Sequence, residues 1–310
     1  MTMDRIIALS EIKSAVENAY ESFKSSKEGN VDPVLEGVDT KKFGITVTLA
    51  DGTVISKGDT DVASPLGGII KLPLSTILLS QNTPEELIKK SGHCPCTAKP
   101  GKPHIHGAHG IRAISAIEPT DDPDSKWNFI EDRMTDLMGT APLLDDKIYE
   151  ALKKKAIDED IVNELAKDGY YLYDDATIST DLYIRARSMT ATTAQLAMMA
   201  ATVAADGVNP STKKIVFDGE IAKHVVGMMA AKGPRKMTLP WDMAAGLPAK
   251  SSFGGAIVGV YPGVMGVAAY SPLLMPNRVS EKAAKAIMTF MHKLDISVFQ
   301  SARLVIDKDK

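Results

Sequence analysis

The strongest constraint on the fold is that β-rich runs occur at both ends of this 310-residue chain and scarcely between them. Phe43-Gly44-Ile45-Thr46-Val47-Thr48-Leu49 and Thr53-Val54-Ile55-Ser56 flank Asp51-Gly52, a dipeptide suited to a two-strand turn. Near the other end, residues 255–260 and 264–270 flank Pro262-Gly263 in the same way. An isolated two-stranded ribbon is marginal in water, so the economical arrangement is one antiparallel sheet assembled from both ends. Helical periodicity frames that sheet. Ile12, Ala15, Val16, Ala19, Tyr20 and Phe23 share one face of a segment over 10–23, and a second long pattern covers 280–294. These first and last helices are expected to pack together on one face.

Between the two strand pairs the pattern is helical, at 72–81, 127–138, 146–156, 158–167, 190–205 and 218–230. A sheet outside with helices inserted is an α+β layout: residues 1–65 and 246–310 form the sheet part, and 66–245 the helical part. Thr190 reads as an N-cap and Gly207 as a C-cap for the helix between them. Residues 91–110, rich in Pro, Gly, His and Lys without periodicity, read as a loop.

Composition excludes several classes. With 44% hydrophobic residues the chain can bury a large core, and a formal net charge of -3 gives no broad field for nucleic acid or an anionic membrane. The N-terminal residues lack the apolar core of a secretion signal. The most apolar stretch, 256–274, is broken by Gly259, Pro262, Gly263, Gly266 and Pro272, so it reads as paired strands and not a membrane helix. A soluble, cytoplasmic protein is expected.

One bias stands out. Both cysteines, Cys94 and Cys96, are separated only by Pro95, too tight for an ordinary disulfide, and His93, His104, His106 and His109 share the same segment. Thiolate and imidazole are preferred ligands of zinc, iron and copper, so Cys94, Cys96, His104, His106 and His109 form a candidate metal set. The spacing is not that of a standard zinc finger. Substrate-binding imidazoles and incidental loop residues are the competing readings.

Longer strings carry a resemblance. Gly246-Leu247-Pro248-Ala249-Lys250-Ser251, then Gly254-Gly255, Tyr261-Pro262-Gly263 and Tyr270-Ser271-Pro272 closely resemble the C-terminal signature of serine-dependent glutaminases. Asp181-Leu182-Tyr183, Leu196-Ala197-Met198-Met199-Ala200-Ala201 and Asp206-Gly207-Val208-Asn209-Pro210 resemble that family's middle section. The resemblance covers almost the whole chain and implies a β-lactamase-like three-layer fold. It also implies a homodimer or homotetramer and a small-molecule ligand such as glutamine or glutamate.

The family's chemistry is covalent acyl transfer from a Ser-x-x-Lys motif, which puts nucleophile and base on adjacent turns of one helix. Here Lys71 is present, but three residues earlier stands Gly68, which has no side-chain atom able to attack a carbonyl. The family's nearby tyrosine falls at Arg235, and its two asparagines fall within Lys102-Pro103-His104-Ile105-His106-Gly107, where neither remains. Glu150 is a candidate for the group that holds the substrate's amino-acid end. Lys71, Tyr183, Lys250 and Ser251 survive, and the resemblance places the oxyanion-hole amides at Gly68 and Phe253. Ser64 and Ser75 are poorly placed to substitute as nucleophiles, Ser64 because Pro65 follows it and Ser75 because it sits one turn deeper.

These features lead to the expectation of a metal-dependent enzyme acting on a small nitrogen-containing substrate. Lys71, Tyr183 and Lys250 would act as binding or acid/base groups, and Gly68, Glu150, Ser251 and Phe253 would contact the substrate. A non-catalytic ligand-binding protein and a residual glutamine amidohydrolase are the alternatives.

Overall fold

The structure is a computed structural model that describes residues 4–91, 107–167, 172–301 and 303–309. The chain starts with strand β1 (Asp4–Ala8) and helix α1 (Leu9–Phe23), followed by the hairpin β2 (Gly44–Leu49) and β3 (Val54–Gly58). After the short β4 (Ser64–Pro65) and a 3-10 turn over Gly67–Ile70 come α2 (Lys71–Gln81), α3 (Pro84–Ser91), α4 (Ala108–Ser115) and α5 (Pro123–Met138). Next are β5 (Leu143–Leu144), α6 (Asp146–Asp158), α7 (Ile161–Lys167), α8 (Ala176–Ser188), β6 (Met189–Ala191), α9 (Thr193–Ala204), α10 (Gly219–Lys232) and α11 (Thr238–Ala245). The chain closes with β7 (Ala249–Ser251), β8 (Ala256–Tyr261), β9 (Met265–Tyr270), α12 (Glu281–Leu294) and β10 (Arg303–Asp307).

The main sheet has the order β3-β2-β9-β8-β7, with every neighbouring pair antiparallel. It joins the two ends of the chain, as the two hairpin signals require. Side-chain alternation then creates three layers. Ile45, Val47, Leu49, Ile257 and Val267 face α1 and α12 in one core, while Ala256, Val258, Val260 and Ala268 face the helical segments in another. On the second face α9 lies directly against the sheet. The contact is close because Gly266 has no Cβ: one placed there would overlap the Ala197 carbonyl oxygen and the Ala201 nitrogen.

Several local expectations change. The segment read as one helix over 190–205 begins with strand β6, which pairs Thr190 with Pro65 and Leu143. The N-cap is Thr192, not Thr190: its hydroxyl accepts from the Gln195 amide while the Gln195 side chain accepts from the Thr192 amide. At the other end both Asp206 and Gly207 have positive φ, 51° and 86°, and the Gly207 amide donates to the Thr202 carbonyl at 2.9 Å, in keeping with the expected glycine cap. The stretch read as loop up to residue 110 gives way to α4, because Ala108, Ile111 and Ile114 supply a buried face that its Gly and His residues obscure. Helix α8 and strand β7 carry no clear period and appear only in the structure.

Helix α4 is fixed from below by a buried ion pair. Lys126 of α5 is fully buried, and its Nζ donates to Asp174 Oδ2 at 2.7 Å and to the carbonyls of Ile114 and Ser115 at 3.3 and 3.4 Å. Those carbonyls belong to the end of α4, past which the regular helical ladder stops. Removing the carboxylate strands a buried cation. Asp174→Ala is expected to lower stability by about 3 kcal/mol in urea unfolding, and an added Lys126→Met to recover part of that loss.

Candidate functional site

The site lies where β7, the turn before α2, and helices α4, α8 and α10 meet. Lys250 is the central residue of β7, paired with Val258, and Lys71 opens α2. Ala249 faces the α1–α12 core, so alternation turns Lys250 the other way, toward α10. Its Nζ donates to the carbonyls of Lys232 at 2.9 Å and Met228 at 3.3 Å, at the end of α10 where helix carbonyls are unpaired and carry partial negative charge. Lys250 is 8% exposed. Burial first, then the charges of Lys71 and Lys232, lower its pKa to about 7.

Gly68 sits in the 3-10 turn over Gly67–Ile70, three residues before Lys71. A Cβ added there would lie 2.6 Å from the Ser251 carbonyl oxygen. Real side chains do not tolerate that separation, so β7 has closed on the turn at the point where a nucleophile would stand. An anion on that side of Gly68 meets the Ser251 carbonyl oxygen, an acceptor. The other hydroxyls do not compensate. Ser64 is buried in β4, and Ser75 donates its hydroxyl to the Lys71 carbonyl at 2.6 Å, an ordinary helix interaction.

Tyr183 is 4% exposed on α8 and lies over Gly110 of α4, filling the space a Cβ at residue 110 would need. One turn along α8, the Arg187 guanidinium stands 5.5 Å from the ring centroids of both Tyr183 and Phe253. Arg235 adopts a left-handed backbone with φ 55°, and its Nε is buried without a hydrogen-bond partner among the described residues. Burial, then Arg278 and Arg187, bring its pKa down to about 10, against the opposing pull of Asp32, which is ion-paired with Arg278. The surroundings of Tyr183 are therefore rich in guanidinium groups. Among the described residues the Ser251 hydroxyl is likewise buried and unpartnered.

The open space lies on the other side of Lys250. A cavity of about 610 Å³ is bounded by α2, α3, α4 and α10, and Lys71, Lys250 and His109 line it. Gly68, Tyr183, Ser251 and Phe253 do not; they pack together beside it. Glu150 stands exposed on α6, away from the cavity lining. Sequence reasoning missed Lys232, because a lysine in the last turn of a helix is ordinary, and the apolar wall formed by α2 and α10.

Of the candidate metal set, Cys94, Cys96, His104 and His106, with His93 beside them, lie outside the described residues. His109 is on α4. Among the described residues no three His, Cys, Asp or Glu side chains gather as a metal site.

A family model described as Glutaminase matches residues 28–299. A glutaminase from Bacteroides fragilis is 35% identical over 320 residues, covering 98% of this chain and 99% of the relative. Glutaminase 1 from Escherichia coli O157:H7 is 29% identical, covering 94% of this chain and 98% of its own. Among solved structures, a probable glutaminase superposes with a TM-score of 0.87 at 28% identity, covering 95% of this chain and 100% of that one. A probable glutaminase from Bacillus subtilis, complexed with 6-diazo-5-oxo-L-norleucine, gives 0.79 at 21% identity, with 94% and 96% covered, and supports the fold.

The closed contact at Gly68 makes a direct prediction. Gly68→Ser is expected to lose about 1–3 kcal/mol of stability from overpacking and to gain no ammonia release from glutamine, measured by thermal unfolding and a coupled ammonia assay. Restored turnover in a stable variant would mean that β7 does not block the position.

Proposed function

We propose that this chain, which belongs to the glutaminase family, binds a carboxylate-bearing molecule at Lys71 and Lys250 and performs no chemistry through a serine acyl-enzyme. The carrying observation is the 2.6 Å between the Ser251 carbonyl and a Cβ at residue 68. The nucleophile is absent, and so is the room for one. Lys71 and Lys250 line one cavity, and burial, then the charges of Lys71 and Lys232, lower the proton affinity of Lys250, an arrangement that a bound anion would relieve. The relatives' names point to glutamine hydrolysis. Any hydrolysis retained by this chain would run by direct attack of water, with Lys250, poised near neutrality, as the group that takes the proton.

The charge state of Lys250 gives the reading its test. Below about pH 7 the buried amine is protonated and attracts a carboxylate; above it the folded protein holds the neutral form. Apparent affinity scales with the binding-competent fraction, so glutarate binding measured by calorimetry is expected to weaken about tenfold from pH 6 to pH 8. His109 and His224 also line the cavity, so the control is Lys250→Met, in which that dependence should be lost. Pronounced pH dependence in the variant would reject Lys250 as the anion's partner.

A second reading is favoured by the position of His109. It lines the cavity, as does Lys90, and these two residues stand close to either end of the segment 92–106 that contains Cys94, Cys96, His104 and His106. Two thiolates with imidazoles form a donor set suited to zinc, iron or copper, and such a metal supplies a hydroxide from bound water near neutral pH. Elemental analysis of the purified protein is expected to give about one equivalent of metal, lost in the Cys94→Ala, Cys96→Ala variant. Sub-stoichiometric metal in both proteins would reject this reading.

A further inference from the structure

We infer that the cavity beside Lys250 takes an amphiphilic monocarboxylate, a carboxylate head on an unbranched apolar chain, and discriminates against free amino acids. This deepens the reading that Lys71 and Lys250 hold an anion and rests on it.

Three observations point to this ligand. The walls are apolar: Leu78 and Leu79 of α2, Leu87 and Ile88 of α3, and Val225 and Met229 of α10 line the space. Ile88 and Met228 are 72% and 41% exposed at its border, unusual for side chains of this size. The charged lining is of one sign only. Lys71, Lys232 and Lys250 stand together at one end, Lys90, Arg112 and Lys223 elsewhere, and among the described residues no Asp or Glu lines the cavity. Finally, about 610 Å³ falls within the range of pockets that enclose a small organic ligand.

Those facts decide between ligand classes. The ammonium group of glutamine or glutamate would enter a space whose described residues offer cations and no carboxylate to receive it. A carboxylate without an ammonium meets Lys71 and Lys250 directly, and a hydrocarbon chain behind it covers the leucine and methionine walls. A long-chain amine has the matching tail and the wrong head. Among the described residues, Lys71 from α2 and Lys232 from α10 are the charges that act on Lys250, so the head group belongs at that end.

The test uses the full chain and calorimetry with glutarate, hexanoate, octanoate, decanoate, dodecanoate and dodecylamine, all below their micellar concentrations. Dodecanoate should bind with a stoichiometry of one. Affinity should rise about fourfold for each added methylene from hexanoate onward, the increment for burying that group. Dodecylamine should bind at least a hundredfold more weakly. Lys71→Met should weaken every carboxylate at least tenfold. Gly227 lines the cavity and a Cβ there meets nothing within 4 Å, so the side chain of Gly227→Trp starts from open space and adds bulk to the wall. That variant should weaken dodecanoate at least tenfold and leave glutarate unchanged.

The failures are separable. If glutarate binds in a Lys71-dependent way while chain length and Gly227→Trp have no effect, the amphiphile is overturned and the anion site stands. If dodecylamine binds as well as dodecanoate, charge recognition is overturned. If none of the carboxylates binds the folded protein, both readings fall.

Discussion

The short separation between the Ser251 carbonyl and the turn at Gly68 is the constraint on which the proposed chemistry of this molecule depends. It follows from how β7 is held. Antiparallel pairing to β8 fixes the register of Ala249, Lys250 and Ser251, and the Ser252 hydroxyl hydrogen-bonds the Pro65 carbonyl just before the turn. Strand and turn are thereby drawn together, and a glycine fits between them where a side chain would not. The same register sends the Lys250 side chain into the end of α10 and gives it the low proton affinity on which the anion reading depends. On the proposed reading, the contact that closes one chemistry also positions the groups for anion binding.

The redistribution of charge has the same logic. In a site built for acyl transfer, hydroxyls and amides surround a small polar substrate. Here Arg187 stands over Tyr183, Arg235 lies within reach of Arg187, Arg278 and Tyr183, and Lys71 and Lys232 stand beside Lys250. Like charges at such separations cost stability unless something negative lies among them. Asp32 supplies one carboxylate on the arginine side. Among the described residues no acidic side chain lines the cavity on the lysine side, and the proposed ligand would supply negative charge there.

Much of the fold was legible because its signals are local. Asp51-Gly52 and Pro262-Gly263 mark tight turns between β-rich runs, and the stripe of Ile12, Ala15, Val16 and Ala19 marks the buried face of α1. What escaped lacked a period. Helix α8 buries Ser179, Thr180, Leu182, Tyr183, Ile184 and Ala186 on more than one face, so no single apolar stripe identifies it. Strand β7 has three residues with a buried lysine at its centre, against every compositional expectation for a strand. The site was legible residue by residue and not as a volume. Lys71, Lys250 and His109 do share a cavity, whereas Tyr183, Ser251 and Phe253 pack beside it. Only the crossing of α2, α3, α4 and α10, elements distant in sequence, decides which side is open.

The central claim, that the family's covalent path is closed in this chain, is tested most directly by acid-quenched intact-protein mass spectrometry during incubation with glutamine. The account predicts a single species at the unmodified mass throughout. A glutamyl adduct that accumulates and maps by peptide analysis to residues 64–75 would contradict it.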